Sequence, residues 1–202
     1  MIGQGILAAV IGYLLGSISS SVLVGRWMAG IDIRQHGSGN AGATNTLRVL
    51  GQRAAAAVLV ADVSKGLIAI AVAMALAPDR TGVWAVAGLF AIVGHNWPIF
   101  FGFRGGRGIA TAIGVLLTLV PVPALAAGGV ALIVLVVTRY VSLGSLLFTL
   151  LTAVFAVVFH YPAAEIWLTI AIAALAVWRH RDNIGRLIRG EEHRLGQGKS
   201  RL

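Results

Sequence analysis

Along most of this chain apolar residues run on with few interruptions, and the polar residues are confined to short stretches between the runs. Apolar runs cover roughly residues 2 to 24, 54 to 77, 83 to 101, 109 to 121, 124 to 138, 146 to 159 and 163 to 178. Such runs predict helices that sit in hydrocarbon. Several are short: at about 1.5 Å per residue they cannot cross a core of about 30 Å unless flanking polar residues enter it inside a bundle. The pattern therefore predicts an all-α integral membrane protein with about seven transmembrane helices, several of them short. It is read as a single membrane domain over residues 1–202, with 179–202 as a basic cytoplasmic segment. Fewer, longer, kinked helices are the alternative.

Composition agrees with the pattern. A hydrophobic content of 58%, a charged content of 11% and a mean hydropathy of +0.89 lie far from the soluble norm. With no cysteine, neither a disulfide nor a thiolate nucleophile nor a zinc–thiolate site can be proposed. The first positive charge is Arg26, so the first apolar run is read as a retained helix and not a cleavable leader.

Charge placement chooses between the helix counts, because Lys and Arg collect on the cytoplasmic side of short loops. Seven spans put Arg26, Arg34, Arg48, Arg53, Arg104, Arg107, Arg139 and all seven basic residues from Arg179 onward on one face, with only Arg80 opposite and Lys65 between. A single helix over 109–138 would move Arg139 to the far face. The expected topology is thus N-terminus outside and C-terminus cytoplasmic. The net charge of +9 is then an inner rim that also attracts anionic lipid headgroups. Nucleic-acid binding has no separate soluble region to carry it.

Orientation does not explain how polar the cytoplasmic loops are. Residues 36–48, HGSGNAGATNTLR, hold three glycines, Ser38, Asn40, Thr44, Asn45 and Arg48. From Gly37 the stretch imitates a nucleotide-phosphate loop, except that Ala43 stands where that loop has lysine, and no strand or acidic magnesium partner accompanies it. Two readings stand: a flexible turn between helices, or a nest of backbone N–H groups with Ser38, Thr44 and Arg48 around a phosphate. The second loop, FRGGRGIAT at 103–111, sets Arg104 and Arg107 about a Gly-Gly pair before a helix near Ile109, where an anion would meet N–H groups and a guanidinium together. It also serves simply to mark the inner side. The third stretch, RHRDNIGRLIRGEEHR at 179–194, has the spacing of an interfacial helix; it also places His180 and Asn183 one turn apart, able to face one ligand.

Taken together the three stretches resemble the bacterial acyl-phosphate:glycerol-3-phosphate acyltransferase family, the PlsY type. The resemblance is carried by Ser38-Gly39-Asn40-Ala41-Gly42-Ala43-Thr44-Asn45 with Arg48, by Gly105-Gly106-Arg107-Gly108, and by His180-Arg181-Asp182-Asn183-Ile184 with Arg186, Leu187, Gly190 and Glu192. Ala61 to Gly66, Gly94-His95 and Thr138 to Ser142 are similar as well, so it spans about residues 13 to 192.

The resemblance implies a seven-helix enzyme of the bacterial plasma (inner) membrane. It would move a fatty acyl group from acyl phosphate to the 1-hydroxyl of glycerol 3-phosphate, giving lysophosphatidate and phosphate, the first step of phospholipid synthesis. The expected catalytic set is His180, Asn183, Ser38, Arg48 and Arg107. Expected at the phosphates are Gly39, Asn40, Gly42, Thr44, Asn45, Gly105, Gly106, Gly108, Arg139, Ser142 and Ser145. One departure stands: the family usually carries lysines in its second motif where this chain has Arg104 and Arg107, so a planar fork replaces a compact ammonium.

Arg48 and Arg107 are the cations expected to neutralise two phosphorylated substrates, and orientation is the main task, since an acyl phosphate already has a good leaving group. Either His180 or a phosphate oxygen of the donor takes the hydroxyl proton. A Ser38 acyl-enzyme is a weaker rival, with no base beside that serine in sequence.

Asp62 and Lys65, three apart on one helix, are expected to pair structurally. His95, Asn96 and Pro98 are expected to organise the second loop. His160-x4-Glu165 is set aside because it falls on the outer face. No carboxylate or histidine cluster stands among the motifs, so neither metal nor cofactor is expected, and no obligate protein partner. The competing class is a small transporter or channel for phosphorylated or lipid molecules. Its weakness is that the polar motifs gather at one face and no inverted repeat is visible. A family member kept only as a lipid-binding scaffold is disfavoured by the intact Ser38, Arg48, His180 and Asn183.

Overall fold

In a computed structural model of the chain, residues 2–196 are described; Met1 and the end of the basic C-terminal segment, 197–202, lie outside them. The described residues are helical and fall into two compact units, with the boundary between Val115 and Leu116.

The first unit opens with α1 (Ile2–Gly16) and α2 (Ser20–Ala29), which together make one 28-residue apolar span. The first apolar run is therefore broken where a continuous helix was expected. Ser17, Ser19, Ser20 and Ser21 crowd the break, and serine hydroxyls compete with helical backbone bonding. A 3₁₀ turn (Ile33–Gln35), α3 (Ala43–Leu50), α4 (Gln52–Leu76), α5 (Thr81–Asn96), a second 3₁₀ turn (Ile99–Phe101) and the start of α6 (Ile109–Leu119) follow.

Small residues hold this unit together. A Cβ on Gly12 would strike the Ala87 carbonyl, one on Gly16 the Ala91 carbonyl, and one on Gly94 the Tyr13 carbonyl, so α1 and α5 run side by side, backbone against backbone. That is how helices associate in lipid, where close packing replaces the hydrophobic drive. α4 runs the other way, since Gln4 near the start of α1 donates to the Leu76 carbonyl at the end of α4 (3.0 Å).

The second unit contains α7 (Pro121–Thr138), α8 (Val141–Val158), α9 (Ala163–Arg179) and α10 (Arg181–Ile188). α6 and α7 are separate helices, as the charge pattern requires. Pro121 has no N–H to continue α6, and Val120 leaves helical geometry at φ −133°. α7 turns into α8 through Arg139, which takes the left-handed conformation (φ 61°). α9 and α10 meet at His180 with a bend of 62°.

Among the described residues five helical segments are long and apolar enough to cross a membrane, and a sixth is added if the bent α9–α10 pair counts as one. The remaining apolar run, the fourth along the chain, is α6, whose 11 residues fall short of a span.

Candidate active site

Residues 36–48 are half turn and half helix. Gly37 and Gly39 take left-handed backbone (φ 63° and 71°), the turn closes at Gly42, and Thr44, Asn45 and Arg48 ride on α3. The turn is clamped by Asn45, which is 1% exposed. Its Oδ1 accepts from the Ser38 N–H (2.8 Å) and Ser38 Oγ (3.1 Å), while Nδ2 donates to the carbonyls of Ile33 and His36 (both 3.0 Å). Asn45 thus shapes the turn from within. The nest of N–H groups is also smaller than expected: Ser38 N–H is taken by Asn45, Gly39 N–H by the His36 carbonyl and Gly42 N–H by the Asn40 carbonyl. Ser38 itself is exposed, with Asn40, Thr44 and Arg48 half-buried beside it.

The second motif lies against the first. A Cβ on Gly106 would strike the carbonyl of Ala41, and Arg34 crosses between the two, donating from Nη1 to the carbonyls of Phe101 (2.6 Å) and Arg104 (3.2 Å). Arg34 is held for this by Asp32, Nη2 to Oδ2 at 2.7 Å. The hydrogen bonds from the Arg34 side chain in turn hold the Asp32 carboxyl down at about 2. That pair neutralises itself, leaving half-buried Arg48 and Arg107 and exposed Arg104 as the other cations of the two turns. Gly105 and Gly108 fit the same close packing: a Cβ on Gly105 would strike the His95 carbonyl, and Gly108 (φ 80°) faces Asn96 Oδ1.

In the second unit the third motif is built around Glu192. Its Oε1 accepts from Ser142 Oγ (2.9 Å) and Asn183 Nδ2 (2.6 Å), and its Oε2 from Arg186 Nε (2.8 Å). Burial alone would raise the Glu192 pKa, but the bonds from Asn183, Ser142 and Arg186 outweigh it and keep the carboxyl ionised below the ordinary range. Asn183 is thereby fixed with its Oδ1 buried and without a hydrogen-bond partner. His180, at the α9–α10 bend and 2% exposed, has Nδ1 at 2.8 Å from the Ala176 carbonyl. A carbonyl only accepts, so Nδ1 carries the proton and the basic nitrogen of the neutral ring is Nε2.

Of the other expected residues, Ser145 turns its hydroxyl back to the Val141 carbonyl (2.8 Å) and Arg139 is exposed at the α7–α8 turn. Thr138 Oγ1 caps that turn by accepting from Tyr140 N–H (3.2 Å). In the sequence Glu192 stands out only as a member of the third motif. The signal for it was faint: neighbouring Glu191 pairs with Arg189 on the surface (2.7 Å), and nothing in the doublet says which of the two turns inward.

Comparison with known proteins identifies the family. The model of the family described as glycerol-3-phosphate acyltransferase matches residues 6–190. A glycerol-3-phosphate acyltransferase of Halalkalibacterium halodurans is 56% identical over 96% of this chain and 97% of its own; that of Shouchella clausii is 54% identical over 98% of each. Among solved structures, PlsY, an integral membrane glycerol 3-phosphate acyltransferase in its glycerol 3-phosphate form, superposes with a TM-score of 0.89 at 40% identity, covering 95% of this chain and 96% of that one. Its lysophosphatidic acid form gives 0.88 at 38% identity, covering 96% and 97%. A match of this depth over almost the whole length leaves one conclusion: the chain belongs to the glycerol-3-phosphate acyltransferase family.

Proposed function

We propose that this chain transfers a fatty acyl group from acyl phosphate to the 1-hydroxyl of sn-glycerol 3-phosphate. The hydroxyl oxygen attacks the acyl carbon and gives up its proton, the new ester C–O bond forms as the acyl carbon's bond to the bridging anhydride oxygen breaks, and phosphate leaves with that oxygen. The observation that carries the reading is the likeness, at 40% identity over 95% of the chain, to an acyltransferase solved with glycerol 3-phosphate. A transporter is not favoured by any of the relatives.

The roles follow from the two half-sites. Arg48 and Arg107, with Ser38, Thr44 and Asn40, bind phosphate oxygens at the cytoplasmic face, while the glycines of the first and second motifs shape the turns that carry them; charge-assisted bonds of this kind are about twice as strong as neutral ones. Asn45 acts through Ser38 by holding the turn. In the second unit Glu192 orients Asn183 and Ser142, and the unpartnered Asn183 Oδ1 is suited to accept from a substrate hydroxyl. His180 Nε2 is suited to take the hydroxyl proton, the donor's phosphate oxygen being the other acceptor on offer. Arg139 and Ser145 serve at the edge of this group. Because the leaving group is already good, most of the acceleration comes from alignment and neutralised charge, and no acyl-enzyme is needed.

The test is to incubate the purified protein in lipid with glycerol 3-phosphate and, separately, acyl phosphate, acyl-CoA and acyl carrier protein. Lysophosphatidate from acyl phosphate alone, lost in Arg48→Ala, is expected; product from a thioester alone would overturn the donor, and transport into vesicles without chemistry would overturn the reaction class.

A further inference from the structure

A buried ion pair in the first unit has no part in the chemistry above, yet it reaches the second motif through a single ring. Asp62 and Lys65 stand one turn apart on α4, 1% and 5% exposed. Apolar residues in place of such a pair often leave stability unchanged or raise it, so packing alone does not account for two charges inside a membrane helix. What they do is visible in the bonds of Lys65. Its ammonium has three N–H groups and meets three acceptors: Asp62 Oδ1 at 2.9 Å, His95 Nδ1 at 2.8 Å and the Ile18 carbonyl at 2.9 Å. That carbonyl lies in the break between α1 and α2, and Asp62 Oδ1 also receives the Ser20 hydroxyl (2.9 Å) from the start of α2.

With all three ammonium protons placed, His95 Nδ1 is an acceptor, so the neutral ring carries its proton on Nε2. Asp62 lies 3.6 Å from Nδ1, too far for a bond that would claim a proton there. The Nε2 edge looks at the second motif: a Cβ on Gly106 would strike Nε2 on one side and the Ala41 carbonyl of the first motif on the other. His95 also accepts the Gly106 N–H on its own carbonyl, at 3.1 Å. One residue therefore holds the Gly-Gly turn by backbone and ring, and its ring is set by Lys65.

We propose that Asp62 and Lys65 are positioning residues: they fix the tautomer and rotamer of His95, which fixes the backbone of 105–108 against Ala41 so that Arg107 meets the phosphate of a phosphorylated substrate. This rests on the phosphate-binding reading of that turn. None of Asp62, Lys65 and His95 touches substrate.

The test compares wild type with Asp62→Asn/Lys65→Met, which removes both charges together, and with His95→Leu and His95→Gln, all purified in lipid. Both substrates are varied and thermal unfolding is followed in parallel. The double variant and His95→Leu are expected to raise KM for one of the two phosphorylated substrates by about fivefold or more, with melting temperatures within a few degrees of wild type. His95→Gln, whose amide accepts at one atom and donates at the other, is expected to stay within about twofold. Unchanged KM values in His95→Leu and the double variant, with losses only in kcat that follow the folded fraction, would overturn the proposal. If the double variant does not fold, the Leu and Gln variants decide alone: equal KM values for them overturn it. A wild type that makes no lysophosphatidate overturns the acyl-transfer reading instead. Calorimetric affinity for glycerol 3-phosphate then decides the positioning role, weaker binding in His95→Leu supporting it and unchanged binding overturning it.

Discussion

Glu192 gathers three side chains, Asn183 and Arg186 from nearby in sequence and Ser142 from fifty positions away. Replacing it with glutamine keeps the shape but loses the charge that makes these bonds strong, and it sets an amide donor against Asn183 or Arg186. Glu192→Gln is expected to cost about 1–3 kcal/mol in unfolding free energy and to lower kcat/KM by about tenfold or more. The pH dependence has a definite sign. A carboxylate held below its unfolded pKa stabilises the fold above that pKa, about 4.3, and the stabilisation is lost as pH falls through the lower folded value. Wild type is expected to lose stability more steeply than Glu192→Gln as pH falls below the ordinary carboxylate range, and parallel curves would contradict the assignment. His180→Asn keeps an amide at the α9–α10 bend but has no basic nitrogen; a fall in kcat of about 10²–10⁴-fold is expected if His180 takes the proton. Near-normal turnover would leave the proton to the donor phosphate. His180, Asn183 and Arg48 are legible in the sequence as polar members of short motifs between apolar runs. Glu192 was not singled out, since its neighbour Glu191 has the same chemistry on the surface and one of its partners, Ser142, lies far away in sequence.

Elements were legible where apolar length decided them and obscure where polar residues interrupted them. The charge on Arg139 was enough to separate α6 from α7, and Pro121 at the start of α7 is the physical cause of the break. The break at residues 17–19 was not foreseen, because the serines there look neutral to hydropathy while offering the backbone other partners. Nor was α3 foreseen, since Gly42, Thr44 and Asn45 read as turn residues; yet Asn45, once buried, bonds the turn from the first helical turns. The α1–α5 seam is a further consequence of small residues. Gly16→Val would push two methyl groups into the Ala91 carbonyl and is expected to destabilise the fold by about 1–3 kcal/mol, readable as a lower melting temperature in detergent. Gly5→Val, a position with nothing within 4 Å of its Cβ, is the control expected to leave it unchanged.

At the scale of the molecule, composition and the apolar pattern were sufficient for the class: a helical membrane protein. The count of spans was less legible, because α6 is apolar but too short to cross unaided. Each compact unit carries one of the two sets of polar motif residues, the two Gly-rich turns in the first and the Glu192 cluster in the second. Acyl transfer requires both sets at the same face, around one pair of substrates. The chain has no cysteine, so two introduced cysteines are the only sites for a spin label. Labels at Arg104 and Arg189, both exposed, would report the separation of the two sets by pulsed dipolar spectroscopy in lipid. The account predicts a mean distance well below the roughly 30 Å thickness of the hydrocarbon core, and a distance at or above that thickness would contradict it.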